Sequence, residues 1–324
     1  MKYIVAPLIL LLLPFAVFSQ DNFVLEKFQP IPKKVKKISG VQYSIYKQDT
    51  TREDFSEYNF DEAGNLIKWE QFLYHAGEER EYDSLGRITE LEGVYGESFA
   101  NGTVSYSYLS KNQKIEIYDK MGFYQYVKSN FVFDKDKIVQ EVRYDSTFDK
   151  MDNYGSSNKV NISYSYDKYG NLAEELHFLD SATEMIYEMH AIYNKNSLLN
   201  RSEHFSEKSH NYESADIKTE EYFYIEEGDF KGKVKKKVLK ATLSHIDTKT
   251  ETIITYTYKK LGKDSYTVEI RHFSSGKLTW HQKKTYNNDY LVKLEEYNTL
   301  ESSSEPKLSS WTEYTYSFYP TSNE

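Results

Sequence analysis

Histidine side chains recur in one setting in this sequence, and imidazole nitrogens can bind metals or transfer protons. Three of the eight histidines stand directly before an aromatic residue at the end of a predicted strand: His177, His204 and His272. In a stacked array His177 and His204 would align and could hold a metal. Gln71 occupies the equivalent position in a related segment, however, and no carboxylate spacing completes a ligand set. The pattern favours polar side chains that face solvent, and we expect neither a metal nor another cofactor.

Three acidic pairs suggest calcium binding or general acid and base catalysis. The pairs are Asp134 with Asp136, Asp149 with Asp152, and Glu174 with Glu175. None has the spacing of a calcium loop, and adjacent residues such as Glu174 and Glu175 point to opposite faces of a strand. The sequence also contains no nucleophile elbow, no phosphate-binding glycine loop and no cysteine. We therefore expect solvated charges at these positions and no enzymatic activity.

Two groups of residues are candidates for an interaction surface. Strict alternation would place four lysines on one strand face: Lys231, Lys233, Lys235 and Lys237. Such a face could bind an anionic glycan, a lipid headgroup or an acidic partner, or it could protect a sheet edge from strand addition. Trp69 and Trp280, together with 31 tyrosines, could stack on sugars, although most of these rings are needed to build the sheet.

The N-terminus and the charge balance indicate where the protein works. Residues 1–19 combine Lys2 with an apolar run that is short for a membrane span and is broken by prolines, which is typical of a secretory signal peptide. The net charge of −9 argues against sequence-independent binding of nucleic acid. Without cysteine, the exported chain would depend on its core alone. We expect no transmembrane segment after signal removal, a location in the periplasm, on the outer surface or in the medium, and an unknown protein or glycan as partner.

The elements that position these residues are copies of one hairpin. In residues 164–178, Tyr164 and Tyr166 alternate with polar residues, residues 167–171 have turn chemistry, and Leu172 begins a second strand. The pattern aromatic-Asp-x-x-Gly-Asn-Leu recurs without gaps at residues 60–66. Closer and looser copies start at residues 60, 82, 108, 133, 166, 193, 224, 258 and 286. The repeat extends along almost the whole chain.

Turn geometry and pairing explain the repeat in physical terms. Gly64, Gly86 and Gly170 would supply a positive φ, and the Asp after the aromatic would hydrogen-bond its own turn. Because a lone hairpin is marginally stable, the copies must pair edge to edge. We predict an all-β fold in which about nine to ten antiparallel β-hairpin repeats form a long, twisted and curved sheet. It would occupy one domain over residues 41–320, after an extended lead-in at 20–40, with long connections near 145–161 and 206–219.

The repeated pattern resembles the tyrosine-aspartate repeats of the RHS/YD family, which are found in short secreted proteins of Bacteroidetes. The best matches are Asp61, Gly64, Asn65, Asp83, Gly86, Arg87, Asp167, Gly170 and Asn171. In larger members the repeats form a shell around a toxin domain, but this array is expected to be too short to close. The expected function is a non-enzymatic exported scaffold that presents its sheet surface to another envelope or extracellular macromolecule. The alternative is a glycan-binding accessory protein that uses exposed aromatics.

Overall fold

A computed structural model describes residues 34–46, 49–72, 76–95, 102–120, 123–149, 154–179, 184–206, 216–243, 248–299 and 306–320. The predicted signal peptide, most of the lead-in and Asp152 lie outside these residues. Within the part of the chain that is described, no helix has the length and apolar character needed to span a membrane.

Twenty β-strands make up the described structure. They are β1 (Val35–Tyr46), β2 (Asp49–Phe60), β3 (Leu66–Gln71), β4 (Ala76–Tyr82), β5 (Ile88–Tyr95), β6 (Gly102–Ser110), β7 (Gln113–Lys120), β8 (Phe123–Asp134), β9 (Lys137–Asp149), β10 (Tyr154–Tyr166), β11 (Leu172–Leu179), β12 (Glu184–Tyr193), β13 (Leu199–Ser206), β14 (Asp216–Tyr224), β15 (Val234–Leu243), β16 (Thr248–Lys260), β17 (Ser265–Ser274), β18 (Lys277–Asn287), β19 (Tyr290–Asn298) and β20 (Lys307–Phe318). The predicted all-β class is confirmed.

The strands form one antiparallel sheet in which each strand pairs with the next along the chain. β1 pairs with β2 and also with β20, where Ile38 lies opposite Tyr316. The strand order therefore returns to its start, which is the topology of a closed β-barrel. The prediction of an open array too short to close is wrong. Residues 35–40, which were assigned to the lead-in, belong to the strand that closes the sheet.

The contacts divide the chain into two compact units. The first is formed by the described residues within 1–66, 257–269 and 281–324, and its fully buried side chains include Ile38, Phe60 and Leu291. The second comprises residues 67–256 and 270–280, and it contains a packed cluster of Leu91, Val104, Tyr118 and Val127 with Tyr106 against it. Each unit has buried apolar side chains of its own.

Four turns share the hydrogen-bond pattern that the repeat predicts. In the turn after β10, the Asp167 backbone N–H donates to the Asn171 carbonyl at 2.9 Å, and the Gly170 N–H donates to the Asp167 carbonyl at 3.0 Å. The Asp167 carboxylate accepts bonds from the backbone and side-chain amides of Asn171, both at 2.9 Å. Gly170 has a φ of +89°. Equivalent backbone bonds form at 61–65, 83–87 and 194–198, which confirms the predicted turn chemistry.

The tyrosines that precede the turns join neighbouring hairpins. The hydroxyl of Tyr166 donates to the Ile138 carbonyl at 2.7 Å, and that of Tyr224 donates to the Leu199 carbonyl at 2.6 Å. Tyr316, in the last strand, makes the same contact with the Leu291 carbonyl at 2.7 Å. Each acceptor lies at the start of the strand that follows the preceding turn. These phenol groups link successive hairpins and help to set their register.

The two predicted long connections have different outcomes. Residues 145–161 are mostly strand, because β9 extends to Asp149 and β10 begins at Tyr154, so that prediction is wrong. The polar residues there pair in register, with Asn158 opposite Asp145 and Ser156 opposite Thr147. Backbone hydrogen bonds extend these strands where the side chains show no apolar alternation. β13 ends at Ser206 and β14 begins at Asp216, and the intervening residues lie outside those described.

Candidate binding surface on strands β7 to β10

Cross-strand pairing defines two faces of the second unit. Side chains of paired residues share a face, and neighbours along a strand alternate. The face that contains Val104, Val127 and Ile162, called the buried face below, holds most of the buried side chains. The opposite face, called the exposed face, contains Lys128, Tyr144 and their cross-strand neighbours.

The buried face carries charged groups as well as apolar ones. Glu141 accepts hydrogen bonds from Ser129 Oγ at 2.7 Å, Arg143 Nε at 3.0 Å and the Tyr164 hydroxyl at 3.0 Å. Burial alone would raise the pKa of Glu141, but Arg143 and these hydrogen bonds hold that pKa below its usual value. Asp145 accepts a bond from Gln125 at 2.7 Å, and burial raises its pKa. These bonds pair the buried Glu141 carboxylate, whereas Asp145 Oδ1 is buried without a hydrogen-bond partner among the described residues.

The structure separates the four predicted surface lysines. Lys231 and Lys233 lie in the turn before β15, and Lys235 lies beside an irregularity in the β14–β15 register. Lys237 is on the buried face, where its Nζ is 3.0 Å from a Glu220 carboxylate oxygen and lies over the Tyr222 ring. Burial opposes ionisation of Glu220, but Tyr222 and Lys237 hold its pKa at about 2. The four lysines therefore do not form one strand face.

The predicted solvent-facing setting of the histidines is wrong for His177, which is 6% exposed. Its Nε2 lies 2.5 Å from Glu175, and its ring packs edge-on against Tyr187. The Tyr187 hydroxyl is 2.9 Å from His204 Nδ1, and burial lowers the pKa of His204. His177 and His204 are thus brought near one another with a tyrosine between them. Among the described residues, no three metal-binding side chains converge.

The remaining predicted residues have structural contacts. Trp280 is half-buried and packs against His272, with ring centroids 4.4 Å apart. Trp69 is half-buried in β3, opposite Glu78. Glu174 lies 3.6 Å from His190 on the exposed face, whereas Glu175 contacts His177 on the buried face. This confirms that the adjacent carboxylates point to opposite faces.

An exposed surface on β7–β10, called the Tyr144 patch below, was not predicted. Its first cross-strand row contains Ile115, Lys128, Tyr144 and Lys159. The second row contains Ile117, Tyr126, Ser146 and Ser157, and the third contains Asp119, Tyr124, Phe148 and Gly155. Tyr144 is 43% exposed and Phe148 is 40% exposed. Because residues 145–161 were assigned to a connection, the sequence did not place Phe148 and Lys159 on this surface.

Two lysines flank the most exposed ring of the patch. Lys128 and Lys159 are the cross-strand partners of Tyr144 on its two sides. Within the described part of the chain, neither ammonium group has a carboxylate partner. Asp119 lies two rows away, opposite Tyr124. The patch combines apolar rings with positive charge that is not neutralised by an adjacent ion pair.

Comparisons with known proteins give no family assignment. No family model matches the chain, and no curated protein does so. A porin-like protein from Bacteroides uniformis has 12% identity over 88% of this chain and 98% of its own, with a TM-score of 0.33. A porin-like protein from Bacteroides vulgatus has 10% identity over 90% of this chain and 100% of its own, with a TM-score of 0.29. The Photorhabdus luminescens Tc holotoxin pore has 12% identity over 80% of this chain and 15% of its own, with a TM-score of 0.32.

Similarities this low carry no argument about function. The resemblance to tyrosine-aspartate repeats likewise has no matching family model and remains a resemblance in the turn sequences. The geometry of the chain itself must therefore support any proposed function.

Proposed function

We propose that the protein is an exported, non-enzymatic binding protein that works with water on both faces of its sheet. It binds another envelope or extracellular macromolecule through the Tyr144 patch. The observation that carries this proposal is the pair of exposed rings, Tyr144 and Phe148, on a face that contributes few buried side chains.

The rings of the patch lie outside the packed cluster of the second unit. The packed cluster of the second unit is formed by Val104, Tyr118 and Val127 on the opposite face. Burying an aromatic side chain stabilises a protein by about 1.5–3 kcal/mol, and Tyr144 and Phe148, which are 43% and 40% exposed, make only part of that contribution. A contiguous group of exposed apolar side chains on a sheet surface is typical of an interaction site. A binding role accounts for the part of these rings that the fold leaves exposed.

Charged residues on the exposed face support an aqueous location there. On the exposed face Glu174 lies near His190, and Arg201 forms an ion pair with Glu203. The buried face is charged as well, for example where Glu220 pairs with Lys237, but the interior of a membrane barrel is also polar. A charged residue on the lipid face of a membrane barrel costs about 2–4 kcal/mol near the bilayer midplane for Lys or Arg, and less for acidic residues. The closed strand order is shared with membrane barrels, but the exposed face of these strands carries charge.

A pull-down with matched variants tests the proposed binding role. The double variant Tyr144→Ser, Phe148→Ser removes two exposed rings, and we expect it to recover at least tenfold less of the bound macromolecule from an envelope extract than the unmodified protein does. The matched control is Ile217→Ser, Phe223→Ser, because these side chains are 47% and 41% exposed on the same face of β14. Urea unfolding shows whether both variants remain folded.

Equal recovery by the two folded variants would exclude the Tyr144 patch as the binding surface. Loss of recovery in the patch variant alone would support it.

A further inference from the structure

We propose that the Tyr144 patch binds an anionic polysaccharide, an inference that rests on the proposed binding function and names its ligand class. The patch holds aromatic rings, lysines and small polar groups on one face of adjacent strands. These are the groups that an acidic sugar polymer requires.

The aromatic rings are arranged to contact successive sugars. Tyr144 and Phe148 project from the same face of β9 and are separated by about 13 Å along the strand. Tyr124 lies opposite Phe148 on β8, and Tyr126 lies one row closer to Tyr144. Aromatic side chains combine an apolar face with, in tyrosine, a polar hydroxyl. The rings therefore suit the apolar C–H faces of pyranose units along an extended chain.

The lysines give the surface its preference for negative charge. Lys128 and Lys159 lie on the strands that flank Tyr144, with backbones about 10 Å apart. The whole chain has a net charge of −9, so its general field repels anions and these two groups provide a local exception. Their ammonium groups have no carboxylate partner within the described residues. They are available to carboxylate or sulfate groups on a ligand.

The surroundings favour an acidic polysaccharide over nucleic acid or an acidic peptide. The exposed face of β10 continues with Ser157, Asn161 and Ser163, and that of β9 adds Gln140 and Ser146. Hydroxyl and amide groups can donate and accept hydrogen bonds, as sugar hydroxyls do. Nucleic-acid binding relies on neutralising many phosphates, and two lysines on an acidic protein provide little of that.

Calorimetric titration of the full mature chain with polygalacturonate tests the ligand class, with dextran as the uncharged polymer. We expect polygalacturonate to bind and the affinity to fall as salt is added, because salt screens exposed charges. The variant Lys128→Gln, Lys159→Gln should bind at least tenfold more weakly. The control variant Lys240→Gln, Lys259→Gln changes two exposed lysines elsewhere and should bind as the unmodified protein does.

Other outcomes would overturn the ligand class. Equal binding of dextran would show that charge is not recognised, and tighter binding of poly-glutamate or of a single-stranded oligonucleotide would assign the patch to a different class of partner. If no polymer binds while the Tyr144→Ser, Phe148→Ser variant still loses its pull-down partner, the polysaccharide inference fails and the proposed function stands. If the pull-down is also unaffected, both fail.

Discussion

At the scale of single residues, equivalent turn positions are occupied by different residue types with the same backbone conformation. Gly64 has a φ of +91° and Ser197, at the matching position of the turn before β13, has a φ of +59°. This left-handed region costs a non-glycine residue about 1–2 kcal/mol. Glycine avoids that cost, but its greater flexibility in the unfolded chain lowers the free energy of unfolding by about 0.4–1 kcal/mol. Opposite substitutions at these two equivalent positions should therefore change the free energy of unfolding in opposite directions.

We expect Gly64→Ala to lower the free energy of unfolding by about 1 kcal/mol, and Ser197→Gly to raise it by about 0.5 kcal/mol. A methyl group at Gly64 would meet no atom within 4 Å, so backbone conformation is isolated from packing there. Urea unfolding of both variants measures the effect. Changes of the same sign at the two positions would show that the turns do not share one conformation in solution.

The turn residues could be predicted from the sequence, whereas the setting of several charged residues could not. The Asp and Gly positions follow from local hydrogen bonding, as at Asp167 and Gly170. Lys237 was predicted on an exposed strand face, because ammonium groups are mostly exposed, and Glu141 was not singled out at all. Their burial depends on partners such as Tyr164 and Glu220, which belong to other strands. The local sequence around a residue does not show which residues of other strands will contact it.

At the scale of elements, the pairing of β1 with β20 determines whether the sheet has edges. Unpaired edge strands expose backbone groups and promote aggregation. The repeat pattern predicts pairing between neighbouring hairpins, but the closing pair joins opposite ends of the chain and leaves no local periodicity. Gly40 lies in this seam, opposite Ser56 on β2 and Tyr314 on β20.

We expect Gly40→Val to destabilise the protein by about 1–3 kcal/mol through overpacking. An added Cβ would lie 2.7 Å from Ser56 Oγ and 2.9 Å from the Tyr314 ring, so both side chains would have to move. Urea unfolding gives the loss, and hydrogen exchange should show reduced protection in β1 and β20. Ser39→Val is the control, because Ser39 lies on the opposite face of the same strand. A change no larger than in that control would contradict the β1–β20 seam.

At the scale of the whole molecule, closure of the sheet does not show whether the protein lies in a membrane or in water, whereas charge on the exposed face bears on that question. A closed antiparallel sheet without edges is found in membrane barrels and in water-soluble barrels alike. The choice between them depends on what each face contacts. The ion pair between Arg201 and Glu203 on the exposed face favours water there, whereas a charged buried face, as at Lys237 and Glu220, occurs in both kinds of barrel. Under the proposed function, the Tyr144 patch is a local binding surface and not part of a lipid-facing band.

Flotation with lipid vesicles tests this central claim most directly. Residues 20–324 are purified without detergent and mixed with phosphatidylcholine dissolved in detergent. Dilution of the detergent forms vesicles, which are then centrifuged in a density gradient. We expect the protein to remain monodisperse in buffer and to stay at the bottom of the gradient, because burying its exposed-face charges in lipid is unfavourable. Protein that floats with the vesicles and resists extraction by alkaline carbonate would contradict a sheet with water on both faces.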